Sequence, residues 1–213
     1  MKLTVNTFLT LDGVMQGPGG REEDTSGGFE RGGWLVPLAD EDMGRIVDGW
    51  FAEADAILLG RTTFQLMQPY WEQVTDPDNP VALALNALPK YVVSTTLGDT
   101  TWNNSTVVST DIPGAVATLK AQPGRELQVH GSHRLARTLH DAGLVDEYRL
   151  LYFPVVVGRG KRLFEADSVP SGFTLGDLEK TGAGAVCVTL RPKSFVTGDF
   201  EVQDGVETVR EQP

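Results

Sequence analysis

Three short apolar runs constrain this chain more than any other feature: Ala56-Ile57-Leu58-Leu59, Tyr91-Val92-Val93 and Leu127-Gln128-Val129. Each is the length of a strand and is apolar on nearly every residue, the pattern of strands covered on both faces. The first ends at Gly60, the second at Ser94 and the third at His130-Gly131. Helical spacing surrounds them. Met43, Ile46, Val47, Trp50, Phe51 and Ala54 fall on one helical face, with Asp40 and Asp42 where a cap and a first-turn acid belong. Further helices are predicted over 61–67 (capped by Thr62 or Thr63), 81–88 and 112–121. Another starts at Ser132, buries Leu135, Ala136 and Leu139, and stops at Gly143.

Residues 2–11 and 147–157 read as long strands, and 173–178, 185–191 and 195–202 as late ones joined by hairpins. Strands alternating with helices and then following one another predict an α/β fold: three αβα layers, a mostly parallel sheet and an antiparallel C-terminal addition. Residues 1–203 form one domain, and the acidic tail 204–213 is expected to be unstructured. The interval 16–33 holds seven of the 24 glycines and the acidic triplet Glu22-Glu23-Asp24. A loop of that length inside a compact domain is usually a functional lid.

Composition narrows the function classes. With 213 residues, 40% of them hydrophobic and 22% charged, the chain suits one ordinary globular domain. No apolar run approaches the ~18 residues of a membrane span, the first residues lack a signal peptide's apolar core, and Cys187 has no partner for a disulfide. A cytoplasmic protein without a membrane partner is expected. The net charge of −11 argues against nucleic acid. Yet residues 125–162 hold seven Lys/Arg against four Asp/Glu, an island suited to a small phosphorylated ligand.

In sheets of this class ligands sit beyond the carboxyl ends of the strands. Three strand ends there carry one chemistry: Gly60-Arg61-Thr62-Thr63, Ser94-Thr95-Thr96 and Gly131-Ser132-His133-Arg134. Glycine lets a phosphate approach the backbone, helix-opening amides donate to it, and arginine adds charge-assisted bonds. Other motifs fail. Gly158-Arg159-Gly160-Lys161 lacks Walker spacing, Gly182-Ala183-Gly184 lacks the third dinucleotide glycine, and no metal site is expected from His130, His133 and His140, which read as surface or cap residues.

Several blocks together resemble the dihydrofolate-reductase superfamily: Thr10-Leu11-Asp12-Gly13-Val14, Leu59-Gly60-Arg61-Thr62-Thr63-Phe64, Lys90-Tyr91-Val92-Val93-Ser94 and His130-Gly131-Ser132. Leu144-Val145-Asp146-Glu147-Tyr148 and the stretch from Phe153 to Phe164 look most like the C-terminal reductase domain of bifunctional riboflavin-biosynthesis enzymes and its stand-alone relatives. The likeness spans about residues 1–200. It implies an eight-stranded sheet, NADPH as cofactor and hydride transfer to a small heteroaromatic or imine-type substrate such as a pterin, a flavin or deazaflavin, or a pyrimidine.

Carried over by position, the resemblance assigns Gly60, Arg61, Thr62 and Thr63 to the cofactor's pyrophosphate and ribose phosphate, with Arg61 on the 2′-phosphate. Ser94 and Thr95 would meet the adenosine end, and Gly131, Ser132, His133 and Arg134 the pyrophosphate. Thr10, Asp12 and Val14 would border the nicotinamide. Asp12, Asp40 and Asp42 are the candidate catalytic carboxylates, and Trp34, Met43 and Tyr152 the candidate substrate wall, with Trp50 on the core stripe. The loop 16–33 would be the lid. A non-catalytic nucleotide- or flavin-binding protein using the same pocket is the alternative, and a homodimer through the Val-rich strand 150–157 is expected.

Overall fold

The computed structural model describes residues 1–212. In chain order the elements are β1 (Lys2–Thr10), α1 (Glu41–Ala52), β2 (Ala54–Gly60), α2 (Arg61–Trp71), α3 (Pro80–Ala87), β3 (Lys90–Val93), β4 (Ser105–Val108), α4 (Ile112–Lys120) and β5 (Glu126–His130). They continue with α5 (His133–Asp141), β6 (Glu147–Phe153), β7 (Gly172–Lys180), β8 (Val186–Lys193), β9 (Thr197–Gln203) and β10 (Val206–Gln212). Eight strands form one sheet in the order β4-β3-β2-β5-β1-β6-β8-β7. From β4 to β6 all neighbours run parallel, while β8 and β7 are antiparallel. The three-layer expectation therefore describes the molecule.

Strand alternation divides the core. Leu3, Val5 and Leu9 of β1, Leu127 and Val129 of β5 and Tyr148 and Leu150 of β6 turn to one face. There they meet Val116 and Leu119 of α4 and Leu135, Ala136 and Leu139 of α5. On the opposite face Phe8, Leu151 and Phe153 pack against Ile46 and Trp50 of α1. Beside them Ile57, Leu59 and Val92 meet Phe51, Phe64 of α2 and Leu85 of α3. Helices of eight to twelve residues are too short to persist alone in water, so these apolar faces hold them.

Under α1 the sheet is not apolar. Glu126 and Glu147, 4% and 3% exposed, stand at the first residues of β5 and β6. Arg149 grips Glu126 with two nitrogens at 2.6 and 2.9 Å and reaches Glu147 at 3.1 Å. Lys2 bridges both carboxylates at 3.0 Å, and Arg191 of β8 adds a 3.1 Å contact to Glu147. Burial pulls the Glu126 carboxyl upward, but Arg149 and Lys2 outweigh it and leave it below the ordinary glutamate value. Four strands are locked in register by this one network.

Three expectations change. The tail beyond Asp204 is not irregular, because β9 and β10 form a separate antiparallel hairpin. Its turn is Asp204-Gly205, both at positive φ (51° and 80°), as a two-residue type I′ turn requires; Pro213 lies outside the described residues. The long strand ends at Phe153, and residues 150–153 lie in β6 between β1 and β8 with both edges paired. Of the valines beyond it only Val156 is largely exposed. The cap assigned to Thr62 or Thr63 also differs, because Gly60 caps α2; Ser132 stands at the cap of α5 as expected, without a side-chain bond.

The glycine-rich interval is folded rather than open. Gln16 donates to the carbonyls of Asp24 and Ser26, Lys161 pairs with Asp24 at 2.6 Å, and Trp34 Nε1 donates to the Gln16 carbonyl. Phe29 and Trp34 enter the core beneath it. Gly160 makes this packing possible: at φ +132° its Cβ would lie 2.6 Å from Val14 Cγ1 and 3.1 Å from Phe29. Gly160→Ala is expected to cost about 2–4 kcal/mol of stability, seen as a lower denaturation midpoint at unchanged slope.

Candidate functional site

Three strand ends meet along one sheet rim. β2 lies between β3 and β5, so Gly60, Ser94 and Gly131 emerge side by side, with Thr10 at the end of β1 next along. The Gly60 amide donates to Ser132 Oγ at 2.8 Å, tying the start of α2 to the start of α5. Gly131 (φ +60°) and Ser132 (φ +63°) are both left-handed, which turns the chain sharply out of β5. A Cβ on Gly131 would sit 3.7 Å from Thr63 Cγ2, so the two helix openings are in near contact.

How the helices begin sets these two apart. α1, α3 and α4 are each closed by their own cap, Asp40 to the Met43 amide, Asn79 to Ala82 and Asp111 to Gly114. Neither α2 nor α5 has a side-chain cap bond. Gly60 has no side chain, and the Ser132 hydroxyl is spent on Gly60. Two adjacent helix N-termini thus keep their first-turn amides free of a side-chain acceptor, an arrangement that favours an anion.

Arg61 and Arg134, both exposed, start these helices. Arg61 donates to Thr96 Oγ1 in the loop after β3. Ser94 is committed to its own turn, accepting from the amides of Thr96 and Leu97, while Thr95 is exposed. His133 meets Glu165 at 3.0 Å. Gly60 through Thr63, Ser94, Thr95 and Gly131 through Arg134 are accordingly gathered on one rim.

The candidate carboxylates have structural tasks. Asp12 accepts from Thr10 Oγ1 at 2.6 Å and from the Val157 and Gly158 amides at 3.3 and 2.8 Å, and meets Arg162. With Val14, whose amide donates to Thr10 Oγ1, it clamps the turn after β1 to the segment after β6. Desolvation pushes Asp12 up, but the Thr10 hydroxyl and the two amides prevail and hold it below the usual aspartate value. Asp40 caps α1 and accepts from Ala183, and Asp42 accepts from Gly182, so both fasten the β7–β8 turn. The Met43 and Ala183 amides hold Asp40 below its ordinary value. Neither Asp12 nor Asp40 is in the state of a proton donor.

The candidate substrate wall is divided by the sheet. Trp34 and Met43 pack on the α1 face, Trp34 edge-on to Phe153 at 5.6 Å. Tyr152 points to the α4–α5 face. An aromatic series runs along the α1 side instead, from Trp34 through Phe153 and Phe8 to Trp50.

Beside it lie polar residues that the sequence reading set aside or missed. Asn6 and His130 are register partners on β1 and β5, and Thr4 and Gln128 form the pair before them. The Gln128 amide nitrogen donates to the Trp50 carbonyl and to Glu126, both at 2.6 Å, so its oxygen faces His130 Nε2 at 3.0 Å. His130 stacks flat on Phe51, centroids 4.3 Å apart. Desolvation first, then the Arg149 charge, lowers its pKa to about 3, against a partial offset from Glu126. Polar residues alternating through apolar strands were the available signal. His140, by contrast, is a satisfied core residue between Tyr148 Oη and the Val169 carbonyl. A concavity lined by Arg21, Glu22, Thr25, Gly28, Phe29, Glu30 and Gly32 belongs wholly to the glycine-rich loop and includes no rim residue.

Comparison with known proteins places the fold. The model of the RibD C-terminal domain matches residues 1–187. The chain belongs to the RibD C-terminal domain family. It is 32% identical over 165 residues to the uncharacterized protein YyaP of Bacillus subtilis (strain 168), covering 76% of this chain and 80% of that one. A putative riboflavin biosynthesis protein from Shewanella sp. PV-4 superposes with a TM-score of 0.68 at 21% identity, covering 91% of this chain and 99% of that one. A diaminohydroxyphosphoribosylaminopyrimidine deaminase/5-amino-6-(5-phosphoribosylamino)uracil reductase from Thermotoga maritima gives 0.62 at 14%, covering 90% of this chain and 56% of that one. This RibD C-terminal domain therefore has the dihydrofolate-reductase-like α/β fold of those neighbours. Its β9–β10 hairpin lies beyond the matched residues. Among the described residues no helix is long and apolar enough to cross a membrane, and no cluster of His, Cys, Asp and Glu suits a metal.

The neutral state of His130 has a measurable sign. An unfolded histidine titrates near 6.5 and this one near 3, so between those values the unfolded chain binds the extra proton. Stability should therefore fall as pH drops from about 6.5 to about 3. In urea melts across that range, His130→Phe should show a shallower decline; an unchanged slope overturns the assignment.

Proposed function

We propose that this RibD C-terminal domain is an NADPH-dependent reductase acting on a small heteroaromatic or imine-type substrate. One observation carries the reading: the two helices without side-chain caps open next to each other on the rim, flanked by Arg61 and Arg134. A pyrophosphate would take the free amides of α2 and α5 at the Gly60–Ser132 contact. Arg61, facing the β3 loop, would meet the 2′-phosphate. NADPH would supply a hydride equivalent at its nicotinamide ring. The chain would supply orientation, with Phe29 and Trp34 excluding water beneath the folded loop. Names borne by relatives, a pyrimidine reductase-like protein from Corynebacterium diphtheriae and the Thermotoga uracil reductase, agree with a heterocyclic acceptor.

A second reading is favoured by Asp12 and Asp40, both held below the usual aspartate value. Without a neutral carboxyl acid among them, the same rim would serve a nucleotide- or flavin-binding protein that does not turn over. Calorimetric titration separates the cases. NADPH should bind, and Arg61→Ala should weaken it about tenfold or more while leaving NADH, which lacks the 2′-phosphate, nearly unchanged. No binding of either dinucleotide removes the reductase reading, and a purified protein carrying yellow flavin favours the second.

A further inference from the structure

The β9–β10 hairpin forms a two-stranded sheet of its own, outside the eight-stranded one and beyond the residues matched to the family. A two-stranded hairpin alone in water is marginally stable, and it persists when a further layer covers its apolar face. This one has such a face. Register pairs Phe200 with Val209 and Val202 with Glu207, so these four point to one side, while Asp199, Glu201, Thr208 and Arg210 point to the other. The polar side is closed within the hairpin, Thr208 donating to the Glu201 carbonyl and Arg210 pairing with the Glu201 carboxylate at 3.2 Å. On the apolar side Phe200, Val202 and Val209 are 76%, 75% and 68% exposed. Together they present on the order of 400 Å² of apolar surface, a size that marks an interaction site.

A second uncovered apolar face stands on the main sheet. α4 and α5 cover β1, β5 and β6, and the sheet continues past them through β8 to β7. On that side Tyr152 opposes Val186, Leu178 opposes Val188 and Leu175 opposes Leu190. Tyr152, Val186 and Val188 are half-buried, and beyond them Leu175 and Leu178 are 56% and 62% exposed. Lys180, opposite Val186, shares this face and is exposed, whereas Glu179 turns to the other face and meets Arg45. β7 is bulged between Leu175 and Leu178, which spoils pairing along its open edge. What it offers a partner is its face.

We propose that two copies of this chain exchange their C-terminal hairpins, the Phe200–Val209 face of each lying on the Leu175–Leu178 face of the other. Both faces stay exposed within one chain, so a single copy covers neither. Two copies related by a two-fold axis cover all four and leave none open for a third. Charge selects this pairing. Residues 197–210 hold four acids against one base, and Glu207 sits on the apolar face itself. Hairpin stacked on hairpin would set Glu207 against its own copy, whereas the sheet offers Lys180 beside Leu178. The same acidity disfavours nucleic acid or an anionic membrane as the covering surface. Matched by as much surface on the sheet and repeated by the two-fold axis, the contact reaches the ~1,600 Å² of a standard stable interface. This inference is independent of the reductase reading.

Light scattering on the 213-residue chain at micromolar concentration should give twice the mass of one copy. Phe200→Glu in the hairpin and Leu178→Glu in the sheet should each raise the dissociation constant about tenfold or more, with the circular dichroism of a folded chain retained. Mixing these two variants should restore association in part, because the intact hairpin of one copy then meets the intact sheet face of the other. Lys180→Glu should weaken the dimer by about threefold, and Glu207→Lys added to it should recover the loss. A monomeric wild type, whether its hairpin folds back on its own sheet or meets a different protein, overturns the exchange. A dimer that survives Leu178→Glu points to hairpin stacked on hairpin and overturns it equally, as does a mixture of the two variants that stays monomeric.

Discussion

Burying Glu126 and Glu147 beneath α1 is the constraint on which the rest of this molecule depends. A carboxylate taken out of water survives as an ion only with close, well-oriented cations. Arg149, Lys2 and Arg191 meet that requirement from three different strands, so the pairing of β1, β5, β6 and β8 is fixed by charge as well as by side-chain volume. A one-residue slip of β5 would send Glu126 to the α4–α5 face, among Leu135, Val116 and Leu3. Such an arrangement specifies register more than it adds stability.

The consequence runs along β5 to the rim. Glu126 and the Trp50 carbonyl occupy the Gln128 amide nitrogen, Gln128 therefore receives the His130 proton, and His130 leads into Gly131 and Ser132. Ser132 in turn accepts from Gly60, joining the openings of α2 and α5. The floor of one end of the sheet and the rim of the other are thus linked through a single five-residue strand. Chemistry at the carboxyl ends of the strands inherits its geometry from a salt bridge at their amino ends.

Much of this was legible from residue patterns and the rest was not, for identifiable reasons. Gly60 and Gly131 after apolar runs marked the rim because those signals are local: an apolar strand, a glycine, a helix. Asp40 as a cap was legible on the same terms. Ser132 stands at the cap of α5 as expected, but a serine before a helix has two uses for its hydroxyl, and here it serves Gly60, 72 residues away. Tyr152 was grouped with Trp34 on aromatic character alone, although strand parity sends it through the sheet to the other face. The Asp204-Gly205 turn was in plain view, flanked by alternating Phe200, Val202, Val206 and Val209, but the acidic composition of the tail outweighed that pattern. The polar network was signalled only by polar residues alternating through apolar strands, and its pairings could not be read because its members come from four strands.

Local rules are broken together in one place, and that coincidence is informative. Two helices lack caps where three others have them, and an amide is buried without partners where the nearby backbone is bonded. A histidine is held neutral beside an arginine. Natural sequences are locally consistent nearly everywhere, and departures persist where function needs them. Had the rim been only a fold element, a serine or aspartate replacing Gly60 would have closed α2, and a leucine in place of Asn6 would have left no buried amide unpaired. Each departure leaves hydrogen-bonding capacity unused in the free protein. Free amides at the helix openings suit an oxyanion. The unpaired amide and the opening of α5 are adjacent because Asn6 and His130 are register partners and Gly131 follows directly.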